Sequence, residues 1–278
     1  MPRFVTHKVI FIHIPKAAGT SIEHCFLARE DTSGVSRSAW FGKIGPEKYK
    51  SNNLAYNKGF LGRGARQHLT YSDLIDIGWC EEKDLKKNNW VTFSIVRDPW
   101  DKLVSAVFFD QYGVIGHKFH GSLEKCSSKE EVQRLFKSML FMPSTMLATK
   151  STWDVILSED HFRTQSSYVK HKGKIAVDAV LRFESLEKDF NDFLINFGLN
   201  KKFYDDKGRA FINDFSEAPN FKIPKRIPKE RSKKNFKSYK EHFSKLGINR
   251  YKDLYDNELR DFVADKYKED IETFNYSF

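Results

Sequence analysis

The sequence predicts an α/β fold, a P-loop-like, three-layer arrangement with a central, mostly parallel sheet flanked by helices. Three observations lead there. Runs rich in β-branched and aromatic residues stand at 9–14, 90–96 and 176–183. Each is followed by a segment whose apolar residues recur at spacings of three and four. Strands that alternate with helices imply parallel pairing, with the crossovers covering both faces.

The elements follow in order. Val9-Ile10-Phe11-Ile12-His13-Ile14 is apolar and ends at Pro15, as a buried strand entering a tight loop would. After Gly19-Thr20-Ser21, Ile22, Phe26 and Leu27 return at helical spacing. Residues 31–67 are rich in Gly, Ser, Asn and Lys, with weak periodicity, and read as a long irregular segment. The second strand, Trp90–Val96, runs into Arg97-Asp98-Pro99, where Asp98 suits an N-cap and Pro99 the first helical position. Leu103, Val104, Val107 and Phe108 then form a helix face that Gly113 can end. Ser128–Leu140 reads as a helix with Ser128 and Glu131 at capping-box spacing. The third strand, Ala176–Phe183, leads to a helix with Leu186, Phe190, Phe193, Leu194 and Phe197 on one face, closed by Gly198. A last helix carries Leu259, Phe262, Val263, Tyr267, Ile271 and Phe274. The expectation is one domain over residues 1–278, extended by the irregular segment 31–67 and a basic loop at 222–240.

Composition narrows the partners. With 47 Lys and Arg against 37 Asp and Glu, the net charge is +10, which favours anionic ligands without choosing among them. Between Lys222 and Lys240 nine basic residues face one acid, Glu230, so +8 of that excess lies in one stretch. Three scattered cysteines, Cys25, Cys80 and Cys126, give no disulfide framework and fit a reducing compartment. The run from Val9 to Ile14 is too short for a signal segment or a membrane span, and no other window is long and apolar enough to span. The chain therefore reads as cytoplasmic.

The chemistry concentrates in two segments. In His13-Ile14-Pro15-Lys16-Ala17-Ala18-Gly19-Thr20-Ser21 a strand ends, a small-residue loop turns and a helix begins. A helix start offers backbone N–H groups and a positive dipole end. Ala17, Ala18 and Gly19 admit an anion close to the backbone, Thr20 and Ser21 add hydroxyls, and Lys16 adds a full charge. The segment reads either as a phosphate or sulfate site or as a tight turn with a solvated lysine. It is not a Walker A loop, because its lysine precedes the glycine and no GK[ST] follows. In the second segment, Arg97 stands at the carboxyl end of a strand, where open α/β sheets bind ligands, and its guanidinium suits a phosphate. Alone, Arg97 could equally pair with a nearby acid, and Ser105 could be an ordinary helix residue. His117 and His120 lack an accompanying carboxylate in a zinc pattern and read as surface residues, so no metal is expected.

Together the two segments resemble the sulfotransferases that use 3′-phosphoadenosine 5′-phosphosulfate (PAPS). The likeness is strongest to the carbohydrate branch that includes heparan sulfate 2-O- and chondroitin sulfotransferases. Lys16 to Ser21 looks like that family's 5′-phosphosulfate loop, and Arg97 with Ser105 looks like its 3′-phosphate pair. Gly64-Ala65-Arg66-Gln67-His68-Leu69-Thr70-Tyr71, His161-Phe162 with Gln165, Arg182–Leu186 and Asp270–Tyr276 are fainter echoes in the same order.

The resemblance implies a PAPS-dependent enzyme acting on a hydroxyl, on a glycan or glycolipid. Lys16 would serve the leaving oxygens, and Ala17, Ala18, Gly19, Thr20 and Ser21 the phosphosulfate. Arg97 and Ser105 would hold the 3′-phosphate. It places the base at His68, where Arg66 stands in place of the first histidine of a His-x-His pattern. The bland alternative for His68 is a neighbour of the helix cap near Thr70, and Glu184 is the other conceivable base. In the basic stretch, Arg231, Lys233 and Lys234 would close over the 3′-phosphate and adenine, or the stretch binds an anionic glycan, or it is a solvated charge run.

Other function classes predict other behaviour. A P-loop kinase would hydrolyse ATP with metal, and the missing GK[ST] opposes it. A nucleic-acid-binding protein would show strong, salt-dependent affinity for arbitrary DNA or RNA, but no recognition motif is present. A catalytically dead glycan-binding relative is opposed by the presence of Lys16, Arg97 and Ser105.

Overall fold

The computed structural model describes residues 3–4, 7–19, 21–22, 26, 68–76, 82–87, 89–109, 122–141, 153, 157, 160–199 and 240–278. The strands are β1 (Arg3–Phe4), β2 (Val9–Ile12), β3 (Val91–Val96), β4 (Lys170–His171), β5 (Lys174–Ile175) and β6 (Ala179–Arg182). The helices are α1 (Tyr71–Asp76), α2 (Glu82–Lys87), α3 (Pro99–Phe109), α4 (Lys129–Phe141), α5 (Ser166–Val169) and α6 (Leu186–Asn196), then α7 (Lys240–Lys245), α8 (Asn257–Lys266) and α9 (Lys268–Phe274). Short 3-10 turns span Phe183–Ser185 and Tyr251–Leu254. The fold is α/β, with a mostly parallel sheet flanked by helices, as expected from the alternating pattern. The chain divides into two compact units, 1–96 with 165–226 and 97–164 with 227–278. Among the described residues no helix is long and apolar enough to cross a membrane.

The first unit holds the sheet, in the order β1-β2-β3-β6. Only the β1 edge is antiparallel; β2 pairs parallel with β3, and β3 with β6. In register, Ile12 stands opposite Ser94, and Val96 opposite Arg182. The unbroken apolar run of β2 is buried at every position, as a strand covered on both faces requires. Phenylalanines supply the packing. Phe93 stacks on Phe11 at 4.8 Å and lies 4.5 Å from Phe193, while Phe26 stacks on Phe4 at 4.1 Å and meets Phe190 edge-on. The buried Ser94 hydroxyl donates to the Ile12 carbonyl at 2.7 Å, so its polar atom is satisfied inside the apolar layer.

The third strand is shorter than its sequence suggests. Asp178 accepts from both the N–H and the hydroxyl of Thr92, each at 2.7 Å, and Ala176 donates to the Val169 carbonyl. Those bonds bend the chain over residues 176–178, and pairing begins at Ala179. Helix α6 buries Leu186, Phe190, Phe193 and Leu194 as expected. Phe197 departs from that face and is exposed, because the chain leaves the helix there through Gly198 at φ +63°.

In the second unit, Asp98 caps α3 as expected, accepting from the N–H groups of Trp100 at 2.9 Å and Asp101 at 3.3 Å. Ser128 accepts from the Glu131 N–H, but Glu131 reaches back to Ser127 instead of Ser128, so the capping box is displaced by one residue. The single helix expected at the end of the chain is two, α8 and α9, broken at Tyr267. That residue leaves helical backbone at φ −110°, ψ 23°, and its buried hydroxyl donates to the Phe162 carbonyl at 2.6 Å.

An unforeseen feature of this unit is a buried cation. Lys102, on α3, is 1% exposed; its ammonium donates to the carbonyls of His161 and Arg163 at 3.0 and 2.9 Å. Burial pulls its pKa down from 10.5 to about 8, opposed by the carboxylate of Asp270 and aided by Arg97. Between these values the unfolded chain holds the proton and the folded chain does not, so stability rises with pH across that window. The unfolding free energy of the wild type minus that of Lys102→Met should therefore climb by on the order of 3 kcal/mol from about pH 8 to about pH 10.5. Urea denaturation across that range reads the difference, and a flat one would mean that the buried amine keeps its proton.

Candidate active site

The first unit builds its loop from the end of β2. Burial continues past the strand through Pro15, and the chain then turns over Lys16, Ala17 and Ala18. Lys16 and Ala18 adopt left-handed backbone, with φ of +68° and +62°. Such values cost a residue with a side chain about 1–2 kcal/mol each. Left-handed residues alternating with their neighbours turn successive N–H groups toward one side, the concavity that binds anions in a nest. The Ala18 carbonyl accepts from the N–H groups of Ser21 at 2.9 Å and Ile22 at 3.3 Å, which starts the helical turn. The Ser21 N–H is therefore taken up within the turn. The N–H groups of Ala17, Ala18 and Gly19 follow one another through this turn into the helical start.

Gly19 answers a local need. A Cβ at this position would stand 2.2 Å from Nε2 of His13, so only a bare Cα fits against that ring. The buried His13 ring is stacked on Phe11 at 5.4 Å on its own strand side and meets His68 edge-on at 4.7 Å. Nδ1 of His68 lies 3.1 Å from the His13 carbonyl oxygen. A carbonyl only accepts, so Nδ1 carries the hydrogen; in a neutral ring the lone pair then lies on Nε2. His68 precedes a reciprocal cap on α1, in which Thr70 N–H donates to Asp73 and Asp73 N–H donates to the Thr70 hydroxyl, each at 3.0 Å. The cap is thus made by Thr70 and Asp73, and His68 is not part of it.

In the second unit, α3 is buried over Lys102, Leu103, Val104, Ala106, Val107 and Phe108. Asp101 and Ser105 are its partly exposed positions in that stretch, four residues apart and so on one face. Arg97, four residues before Asp101, donates to that carboxylate through Nε at 2.8 Å and Nη2 at 2.7 Å. Asp101 and Ser105 share one face of α3, and Arg97, two residues before the helix, reaches Asp101. The acid that could pair with Arg97 is therefore Asp101. It holds the guanidinium by one edge and fixes its plane.

A family model described as the sulfotransferase family matches residues 4–277. The chain belongs to the sulfotransferase family. No curated protein and no solved structure gives a match.

This sulfotransferase is a transferase of sulfuryl groups, and the family implies a hydroxyl-bearing acceptor. Of the residues expected at its site, Lys16, Ala17, Ala18, Gly19, Ser21 and His68 lie in the first unit, and Arg97 and Ser105 in the second. Thr20, Arg66, His117, His120, Arg231, Lys233 and Lys234 fall outside the described residues. Sequence reasoning missed the ring of His13. Its only signal was a polar residue at the end of a buried strand, two before the proline.

Asp98 supports the start of α3. It caps α3 with one carboxylate oxygen and accepts from the Tyr251 hydroxyl at 2.7 Å with the other. Asp98→Ala should lower stability by about 2 kcal/mol, as a lost cap and a stranded tyrosine hydroxyl together require. Denaturation in urea measures this, and a loss under about 0.5 kcal/mol would show that the cap is dispensable.

Proposed function

We propose that this sulfotransferase takes its sulfuryl group from PAPS and delivers it to a hydroxyl of a carbohydrate, a glycan or glycolipid, by in-line displacement with a general base. The observation that carries the reading is the loop at 15–19, where left-handed backbone at Lys16 and Ala18 leads directly into a helical turn. Its donor set, backbone N–H groups beside an ammonium, fits a sulfate or phosphate. The donor, when bound, supplies an electrophilic sulfur and a stable phosphate leaving group.

The protein's part is to position groups and stabilise charge. Lys16 neutralises charge growing on the leaving oxygen. The N–H groups of Ala17, Ala18 and Gly19 hold the 5′-phosphosulfate, with hydroxyls of Thr20 and Ser21 as further donors. Arg97, its plane fixed by Asp101, grips the 3′-phosphate with Ser105. Arg231, Lys233 and Lys234 close over the same phosphate and the adenine. His68 takes the acceptor's proton on Nε2, the nitrogen its bond to the His13 carbonyl leaves unprotonated. The carbohydrate acceptor rests on the resemblance to the 2-O- and chondroitin enzymes. Transfer of labelled sulfate to desulfated glycosaminoglycan or glycolipid, in preference to a tyrosine peptide or a simple alcohol, is the expected outcome.

Calorimetric titration with 3′-phosphoadenosine 5′-phosphate tests the donor. Binding at about micromolar Kd without magnesium is expected. Arg97→Ala should weaken it roughly 10- to 100-fold, the worth of a charge-assisted phosphate contact, and Lys16→Ala should weaken it too. Absence of binding, or binding of ATP only with magnesium, would overturn the reading in favour of a nucleotide kinase.

A further inference from the structure

His13 is the one polar side chain in the buried run from Val9 to Pro15, and the chemistry above gives it no role. Three contacts converge on it. Its carbonyl oxygen is 3.1 Å from Nδ1 of His68. Its ring meets the His68 ring edge-on, at 4.7 Å and 84°. The same ring lies so close to the Cα of Gly19 that an added Cβ would be 2.2, 2.3 and 2.7 Å from three of its atoms. One side chain therefore touches both the loop at Gly19 and the imidazole of His68. With Phe11 stacked on it at 5.4 Å and only 4% of it exposed, the ring has little room to yield.

We infer that His13 is a positioning residue: its ring couples the loop at Gly19 to His68 and holds His68 in the tautomer that leaves Nε2 unprotonated. The inference rests on the reading of His68 as the base. It assigns to His13 the orienting part that a third group plays for a catalytic base elsewhere. In this chain a backbone carbonyl sets the tautomer and a ring sets the plane. The absence of a side chain at Gly19 is then a requirement of the base as well as of the loop. A methyl at Gly19 pushes the His13 ring off its place, and His68 loses the wall it stands against.

The test reads the tautomer directly and needs no acceptor. Protein labelled with ¹⁵N-histidine is studied by long-range proton–nitrogen correlation at about pH 8.5, where an ordinary histidine is neutral. His68 is assigned through loss of its signals in His68→Gln. In the wild type, His68 should show a protonated Nδ1 and a bare Nε2. In Gly19→Ala and in His13→Ala at least about half of His68 should pass to the Nε2–H form, because the Nδ1 bond loses its geometry. Thermal melting shows which variants are folded. Should His13→Ala fail to fold, Gly19→Ala, which adds one methyl, decides alone. Nδ1–H retained in the folded variants, or a wild-type His68 that already carries its hydrogen on Nε2, overturns the coupling. Binding of 3′-phosphoadenosine 5′-phosphate to the same wild-type sample is scored separately. Its absence sinks the donor reading, whereas intact binding with an unmoved tautomer sinks only the role of His13.

Discussion

The first unit is governed by the need to bring the chain out of a strand that is buried on both faces. β2 and the residues after it stay buried through Pro15, and nothing there can turn toward water to satisfy a backbone group. The exit must be sharp. Proline sets φ at its own position, Lys16 and Ala18 accept left-handed backbone, and Gly19 passes beneath the ring of His13 with no Cβ. Each local choice follows from the one before it, and the product is a tight turn that opens into a helical start.

The second unit meets a different demand: how to keep polar residues accessible on a helix that is otherwise core. Helical i,i+4 spacing puts Asp101 and Ser105 on one face, and the ion pair with Asp101 brings in Arg97 from just before the helix. Rigidity is solved by bonds outside that face. Asp98 caps the helix and takes the Tyr251 hydroxyl, the Trp100 indole donates to the Arg260 carbonyl, and Tyr255 donates back to the Trp100 carbonyl. Lys102 adds a buried cation held by two carbonyls and the field of Asp270, itself fully buried. An uncompensated charge would be costly in such a place, and those partners are what make it tolerable. With so many bonds holding its first turns, α3 presents Ser105 from a fixed frame.

Much of this was legible in the sequence, and what was not has physical reasons. The strands at 9–12 and 91–96, the cap at Asp98 and the buried face of α6 all come from short-range pattern, in which each residue's neighbours along the chain decide its state. The break at Tyr267 was hidden, because its apolar spacing continues through it unchanged. Only a long-range bond to the Phe162 carbonyl shows why the backbone leaves the helix there. Lys102 was hidden for the same reason, since a lysine's surroundings are set by carbonyls some sixty residues away. At the loop, the residue types announced an anion, but the meeting of His13, Gly19 and His68 crosses a gap of 55 residues that spacing does not encode.

The loop also shows why its two left-handed residues are not glycines. Glycine would adopt these angles without strain, yet it would cost about 0.5–1 kcal/mol more backbone entropy on folding and would remove the side chain. At Lys16 the side chain carries the charge that the proposed site would use. The strain of about 1–2 kcal/mol at each of the two residues has to be offset nearby. Ile14, 1% exposed, and Ala17, fully buried, do this, because burying one large aliphatic side chain is worth about 1.5–3 kcal/mol. The loop is therefore shaped by the packing on either side of Lys16 and not by its own preference. A loop held in that way has its form without a ligand, which is the preorganisation that the proposed anion site would need.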